Sequence, residues 1–130
     1  MIKTKLPCWN SQIKDNKKVV SDYDLIVTIN TSITAEQKWE EEFKEQAKNE
    51  TLFNYIARIG SSNLKTADTS LLLSAFKALY CLIECEDILN FKQFLTLFDF
   101  SEEKRFEKLI NEVTNIFEIA LSNSANDPKN

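Results

Sequence analysis

The stretch from Ser70 to Ile83 limits the folds open to this chain more than any other. It reads SLLLSAFKALYCLI and carries one charge, at Lys77. A helix that is apolar on nearly every side lies inside a bundle, because on the surface it would expose a large apolar patch. The stretch is too short to span a bilayer. We therefore predict a buried central helix over about 67–84.

Glycine and proline are scarce, and this scarcity favours helices. The 130 residues include one Gly and two Pro. That is too few for a turn-rich sandwich or barrel, or for a glycine-rich phosphate loop. We expect a mainly α fold, a compact bundle of about five helices around the central helix. The expected domain order is an extended leader over 1–22, one helical domain over 23–122 and a disordered tail over 123–130.

The N-terminal part of the chain carries the clearest strand candidate in the sequence. The lysine-rich leader fits neither a period of 2 nor one of 3.6, so we expect only short extended pieces there. A strand is predicted near 23–30, where Leu25 to Ile29 read LIVTI and turn residues follow. Its pairing partner is either the leader or another subunit joined by edge pairing.

The first helix after this strand has a narrow aromatic stripe. A capping pattern at Thr34 predicts a helix from Ala35 to Lys48. Its apolar residues, Trp39, Phe43 and Ala47, recur at intervals of four among charged residues. This pattern predicts a surface helix anchored by two large aromatic side chains.

Three further helices are expected, over 51–59, over 91–98 and from Ser101 onwards. Gly60 is predicted to end the first of them in a left-handed conformation, and Asn90 to cap the second. The last helix has the most regular apolar stripe in the chain, from Phe106 to Leu121. We expect it to pack along the central helix.

Charge and cysteine content exclude several classes of partner. The net charge of −4 comes from interspersed acidic and basic residues, so no basic face for nucleic acid is visible. No apolar run indicates a signal peptide or a membrane span, and we expect a cytoplasmic protein. Three cysteines, Cys8, Cys81 and Cys85, cannot all pair within one chain. Cys81 and Cys85 could form half of a thiolate site, but without histidine we expect buried thiols and no metal or cofactor.

Catalytic chemistry has no visible basis in this sequence. The chain contains no histidine, so its serines and threonines lack their usual base. The paired carboxylates Asp99 and Glu102 lie at a helix junction, where capping explains them. We do not expect an enzyme.

Five segments carry a family resemblance. They read DYDLIVTINTSI (22–33), QKWEEEF (37–43), LFNYIARI (52–59), LYCLIE (79–84) and FKQFLTLFD (91–99), and the closing helix, which ends in ALSNS (120–124), adds to them. In order and spacing they resemble the tail assembly chaperones of long-tailed, siphovirus-type phages of Gram-positive bacteria. The resemblance covers roughly residues 20–124, and Trp39, Phe43 and Tyr80 are its most distinctive points.

The resemblance implies a non-enzymatic assembly factor. Such proteins bind the tape-measure protein and keep its apolar helices soluble until tail tube protein polymerises around it. The resemblance implies that the protein acts in the host cytoplasm and is absent from the mature virion. It supplies no catalytic residues. We expect the contact surface to be an exposed aromatic stripe of Trp39 and Phe43 with the neighbouring strand edge of Leu25, Val27 and Ile29. Self-association through the N-terminal strand is a second expected contact.

Two other functions remain open on the sequence alone. One is a structural head–tail connector or tail-completion subunit that stays in the particle. The other is a small regulator that acts by binding a host protein. Both keep the helical fold and differ from the chaperone in what the protein binds.

Overall fold

The computed structural model describes residues 2–60 and 62–125. In chain order the elements are strands β1 (Ile2–Lys14) and β2 (Lys17–Ile29), helices α1 (Ile33–Glu42), α2 (Lys44–Ala47) and α3 (Leu52–Gly60), a 3-10 turn (Leu64–Thr66), helix α4 (Thr69–Leu82), strand β3 (Ile83–Glu84), and helices α5 (Phe91–Leu95) and α6 (Glu103–Ala125). The three strands form one antiparallel sheet in the order β1-β2-β3. The fold is therefore mixed α/β, and the expectation of a mainly α bundle with one short strand is wrong.

A long β-hairpin replaces the expected extended leader. Strands β1 and β2 pair along their whole length, from Ile2 opposite Ile29 to Lys14 opposite Lys17. Asp15 and Asn16 form the two-residue turn, with φ values of 51° and 61°. Positive φ at both turn residues matches the twist of a hairpin. The strand expected near 23–30 is thus the second half of a 13-residue strand.

Asn30 joins the end of β2 to the first helix and to β3. It is a buried polar residue, 3% exposed. Its Nδ2 donates to Thr34 Oγ1 (2.7 Å) and to Glu84 Oε1 (2.8 Å), and its Oδ1 accepts from the backbone and hydroxyl of Ser32. A buried amide with all these partners fixes the geometry of the elements it links.

Helix α4 lies where the sequence predicts the central helix, but only half of it is buried. The carboxylate of Asp68 caps it by accepting the N–H of Leu71 (2.9 Å). From Ala75 to Leu82 every residue except Lys77 is buried, whereas residues 69–74 are half-buried or exposed. The expectation of a helix buried along its length is therefore corrected for its first half.

The last helix confirms its apolar stripe. Helix α6 packs against β1, α3 and α4, with a buried face made of Leu109, Ile110, Val113, Ile116, Phe117 and Ala120. The helix continues to Ala125, and residues 126–130 of the expected disordered tail lie outside the described residues.

Helix boundaries differ from the sequence prediction at three caps. Ser32, and not Thr34, caps α1, which ends at Glu42. Gly60 is the last residue of α3 and has no positive φ, so it is not the expected left-handed terminator. Ser101 donates its N–H and hydroxyl to the Asp99 carboxylate and does not cap α6. The cap at Asn90 is confirmed, since its side chain accepts the N–H of Gln93.

Candidate protein-binding surface

The two aromatic residues expected on the surface lie in the core. Trp39 is fully buried, and its Nε1 donates to the Glu50 carbonyl (3.1 Å) while its ring centroid lies 4.7 Å from that of Tyr55. Phe43 is 8% exposed and meets the Phe91 ring at 5.0 Å. The expected exposure of this stripe is wrong, because the stripe is the face by which α1 packs against its neighbours.

The strand residues expected beside that stripe are also turned inwards. Val27 and Ile29 are buried, and Leu25 is half-buried against the same core cluster. The structure thus brings all five expected contact residues, Leu25, Val27, Ile29, Trp39 and Phe43, into one core and leaves little of their surface to a partner. Their role as partner contacts stays a prediction without geometric support.

Two of the three cysteines, Cys8 and Cys81, are buried. Burial raises the pKa of the Cys8 thiol to about 12, and burial likewise raises the pKa of Cys81 to about 12. Both thiols are therefore protonated at neutral pH, and only thiolates react or bind metals well. Within residues 2–60 and 62–125, no cluster of three or more His, Cys, Asp or Glu side chains could hold a metal ion.

The acidic pair at the helix junction holds the hairpin in place. Asp99 Oδ2 accepts from the Lys18 ammonium (2.8 Å) and from the Ser11 hydroxyl (2.8 Å). The hydrogen bond from Lys18, followed by those from Ser101, lowers the pKa of Asp99. The Trp9 indole donates to the Asp99 carbonyl (3.1 Å). These bonds attach the segment before α6 to the arm of the hairpin.

A second ion-pair group extends this attachment along α6. The Arg105 guanidinium donates to both carboxylate oxygens of Asp22 (2.7 and 3.0 Å) and to Glu102 Oε1 (2.8 Å). Glu102 also accepts from Lys18 (3.2 Å). We call the set Lys18, Asp22, Asp99, Glu102 and Arg105 the polar clamp. Its carboxylates are all paired, which is the arrangement of a structural contact.

An apolar groove opens beside the exposed half of α4. It has a volume of about 300 Å³ and is lined by Thr69, Leu72, Leu73, Phe76, Phe100 and Phe106. Phe100 is 52% exposed and Leu73 is 37% exposed. The Phe100 ring packs on Phe106 (4.8 Å between centroids) and on Phe76 (6.0 Å). Large apolar side chains left open to solvent in one concave patch are typical of binding surfaces.

Acidic residues continue the groove along the first turns of α6. A neighbouring depression of about 210 Å³ shares Phe106 and is lined by Lys65, Glu103, Glu107 and Ile110. The Lys65 ammonium lies 3.9 Å from a Glu107 carboxylate oxygen, and both side chains are at least half exposed. The apolar groove is therefore flanked by more acidic than basic groups, which favours a ligand with positive charge beside its apolar face.

The contact surface predicted from the sequence does not include Leu73 and Phe100, the two most exposed apolar residues of the groove. One observation could have indicated Leu73: three successive leucines on a helix point about 100° apart, so they cannot all face one core. Phe100 lies between two helices, where apolar periodicity says nothing about direction.

No protein-family model, curated protein or solved structure matches this chain. In the part of the chain that the structure describes, no helix is both long and apolar enough to cross a membrane.

Proposed function

We propose that this protein is a phage tail assembly chaperone that binds an apolar-faced helix of the tape-measure protein and keeps it soluble. The groove formed by Leu72, Leu73, Phe76, Phe100 and Phe106 carries the proposal. The family resemblance in residues 20–124 supplies the identity of the bound protein. The contact surface is this groove and not the buried Trp39 and Phe43.

The groove suits one face of an amphipathic helix. Apolar side chains spaced three and four residues apart form a ridge that a groove between two helices accepts. Each large side chain that becomes fully buried contributes about 1.5–3 kcal/mol. Leu73 and Phe100 both have exposed surface to lose on binding. A bound helix would therefore hide apolar surface on both proteins, as a chaperone requires.

The acidic flank adds selectivity to this contact. Glu103 and Glu107 lie beside the apolar residues, and Lys65 is the one basic group among the described residues that line the same depression. Lysine or arginine residues bordering the apolar face of the bound helix would lie close to these carboxylates. Such rim charges act mainly on the rate and selectivity of binding.

Co-expression with the tape-measure protein tests the proposal. The wild-type protein should raise the soluble fraction of the tape-measure protein and co-purify with it. Leu73→Asp should abolish both effects, because it puts a charge on the open wall of the groove. Leu89→Asp is the matched control: Leu89 is 78% exposed and does not line the groove, so this variant should behave like wild type.

Three results would contradict the proposal. They are a tape-measure protein that stays insoluble beside the wild-type protein, equal effects of the Leu73 and Leu89 variants, and recovery of this protein from purified virions by mass spectrometry. The last result would instead favour the connector or tail-completion subunit. Circular dichroism of both variants checks that a loss of binding is not a loss of fold.

A further inference from the structure

The two long edges of the hairpin differ in how they are protected. On the edge of β1, Trp9 donates its backbone N–H to the Leu97 carbonyl (3.5 Å). Pro7 on the same strand has no N–H to offer, and Lys3 and Lys5 are exposed. Lysine, proline and a covering segment are the usual means by which an edge strand avoids pairing with another chain.

The outer edge of β2 lacks most of this protection. Strand β3 is two residues long and pairs only with Thr28 and Ile29. The backbone N–H of Asn30 donates to the Leu82 carbonyl on the same side, away from β1. The backbone N–H and C=O groups of an antiparallel strand point to alternate sides from one residue to the next. Those of the even-numbered residues of β2 therefore all point away from β1. We call residues 18–26 of β2 the open edge.

Side-chain exposure agrees that the open edge faces solvent. Asp22, Asp24 and Ile26 are exposed, Ile26 to 55%, and Val19 is 40% exposed. Among the described residues, no strand pairs with the open edge before β3 begins. The polar clamp reaches it only through the side chains of Lys18 and Asp22.

We propose that the open edge pairs antiparallel with the open edge of a second copy of this chain, with Ser21 opposite Ser21 on a two-fold axis. The two three-stranded sheets then form one continuous sheet of six strands. This contact uses neither the apolar groove nor the tape-measure protein, so it stands or falls separately from the proposed function.

The sequence of the open edge is complementary to itself in this register. Antiparallel pairing about Ser21 puts Lys18 opposite Asp24 of the second copy, and Val19 opposite Tyr23 of the second copy. Opposite charges and an aromatic ring facing a β-branched residue are both favourable cross-strand pairs. Each occurs twice because of the symmetry, and no two like charges face each other.

The register centred on Asp22 is less favourable than the one centred on Ser21. Centring the pair on Asp22 would put the two Asp22 carboxylates directly opposite each other, and like charges in that position destabilise a sheet. It would also put Lys18 opposite Ile26 of the second copy, so that Lys18, which already bonds Asp99 and Glu102 of its own chain, would gain no cross-strand pair with Asp24. Charge complementarity therefore supports a second copy as the occupant and favours the register centred on Ser21 over the one centred on Asp22.

Sedimentation velocity of the full chain at micromolar concentrations tests the contact. We expect a dimer that dissociates on dilution. Asp24→Pro removes an N–H that points away from β1, so it should weaken dimerisation about tenfold or more and leave the hairpin paired. Lys5→Pro is the matched control on the protected edge and should leave the dimer intact. A monomer at every concentration, or equal effects of the two variants, would overturn the proposal.

A cysteine variant tests the register. Ser21→Cys would put two thiols in a pair of residues that share no hydrogen bond, where Cα atoms lie about 4.5 Å apart and a disulfide can form. Mild oxidation should give a covalent dimer of this variant. The wild type should give no covalent dimer, because Cys8 and Cys81 are buried and Cys85 is half-buried. The variant Ser70→Cys, at an exposed position in the first half of α4, should also give none. Absence of the Ser21→Cys dimer would overturn the register.

Discussion

Both halves of α4 carry large apolar side chains, but their surroundings are opposite. In the second half, Ala75, Phe76, Ala78 and Leu79 are at most 1% exposed. In the first half, Leu71 and Leu72 are half-buried and Leu73 is 37% exposed. One apolar run thus supplies the centre of the core and one wall of an open groove. Its apolar character alone does not separate the two roles.

The neighbours of each half explain the difference. Around the second half, α1 closes the core: the Lys38 ammonium donates to the Tyr80 carbonyl (2.9 Å) and lies 4.0 Å from the centre of the Tyr80 ring. Beside the first half lie Phe100, in the segment before α6, and Phe106, in the first turn of α6. No further described element covers the groove between them. Apolar surface that the fold does not cover is surface that a partner can cover.

Truncating one leucine in each half of α4 should lower the free energy of unfolding by different amounts, because one leucine lies in the core and the other in the groove. Leu79 is fully buried, so Leu79→Ala should lower the free energy of unfolding by about 2–5 kcal/mol, through lost burial and the cavity left behind. Leu73→Ala should lower it by less than about 1 kcal/mol, because part of the side chain is already in water. Urea denaturation followed by circular dichroism measures both.

Equal losses at the two positions would break the comparison. They would mean that the first half of α4 contributes to the core as much as the second, and the groove would then be a packing defect. If Leu73→Ala instead has wild-type stability and binds the tape-measure protein more weakly, the first half of α4 serves binding and the second half serves folding.

A smaller effect is expected from the polar clamp, which holds the segment carrying Phe100. The pKa of Asp99 is lowered mainly by its hydrogen bond from Lys18, and that of Asp22 mainly by its bond from Arg105. Each carboxyl binds a proton less readily in the folded than in the unfolded chain. Their stabilisation is therefore present above the ordinary carboxyl pKa of about 4 and is lost as the pH falls below it.

Thermal unfolding between about pH 6 and pH 3 measures this dependence. The melting temperature of the wild type should fall with acidification, and Asp99→Asn should remove part of that fall. Asp87→Asn, on an exposed carboxylate outside the clamp, serves as the control and should keep the wild-type profile. Identical pH profiles for wild type and Asp99→Asn would show that the clamp does not hold the segment.

The helices were predictable from the sequence, and the hairpin was not. The stripe of α6 and the position of α4 follow from long apolar periodicity. In β1, the buried Leu6 and Cys8 are two residues apart, as in a strand with one buried face. Pro7 and the buried Trp9 occupy the alternate positions, where polar residues would be expected, and so hide a period of 2. From residue 10 to the turn the strand is exposed on both sides, so no apolar pattern marks it. The turn also uses Asp15 and Asn16 without the glycine that usually indicates a hairpin.

The candidate site shows a similar limit. Two aromatics on a charged helix were expected to face a partner, yet Trp39 and Phe43 provide the contact by which α1 joins the core. The sequence shows that α1 has a narrow apolar stripe. Whether that stripe faces the core or a partner depends on which other elements of the chain pack against it. The exposure of Leu73 and Phe100, which identifies them as a candidate site, is known only from the structure.

Hydrogen exchange of the protein with and without bound tape-measure protein distinguishes the two surfaces. Binding in the groove predicts slower exchange of amides in residues 69–74 and around Phe100, with no change around Leu89. Slowing confined to α1 and the strand at Leu25, or no slowing at residues 69–74, would show that the groove is not where the tape-measure protein binds.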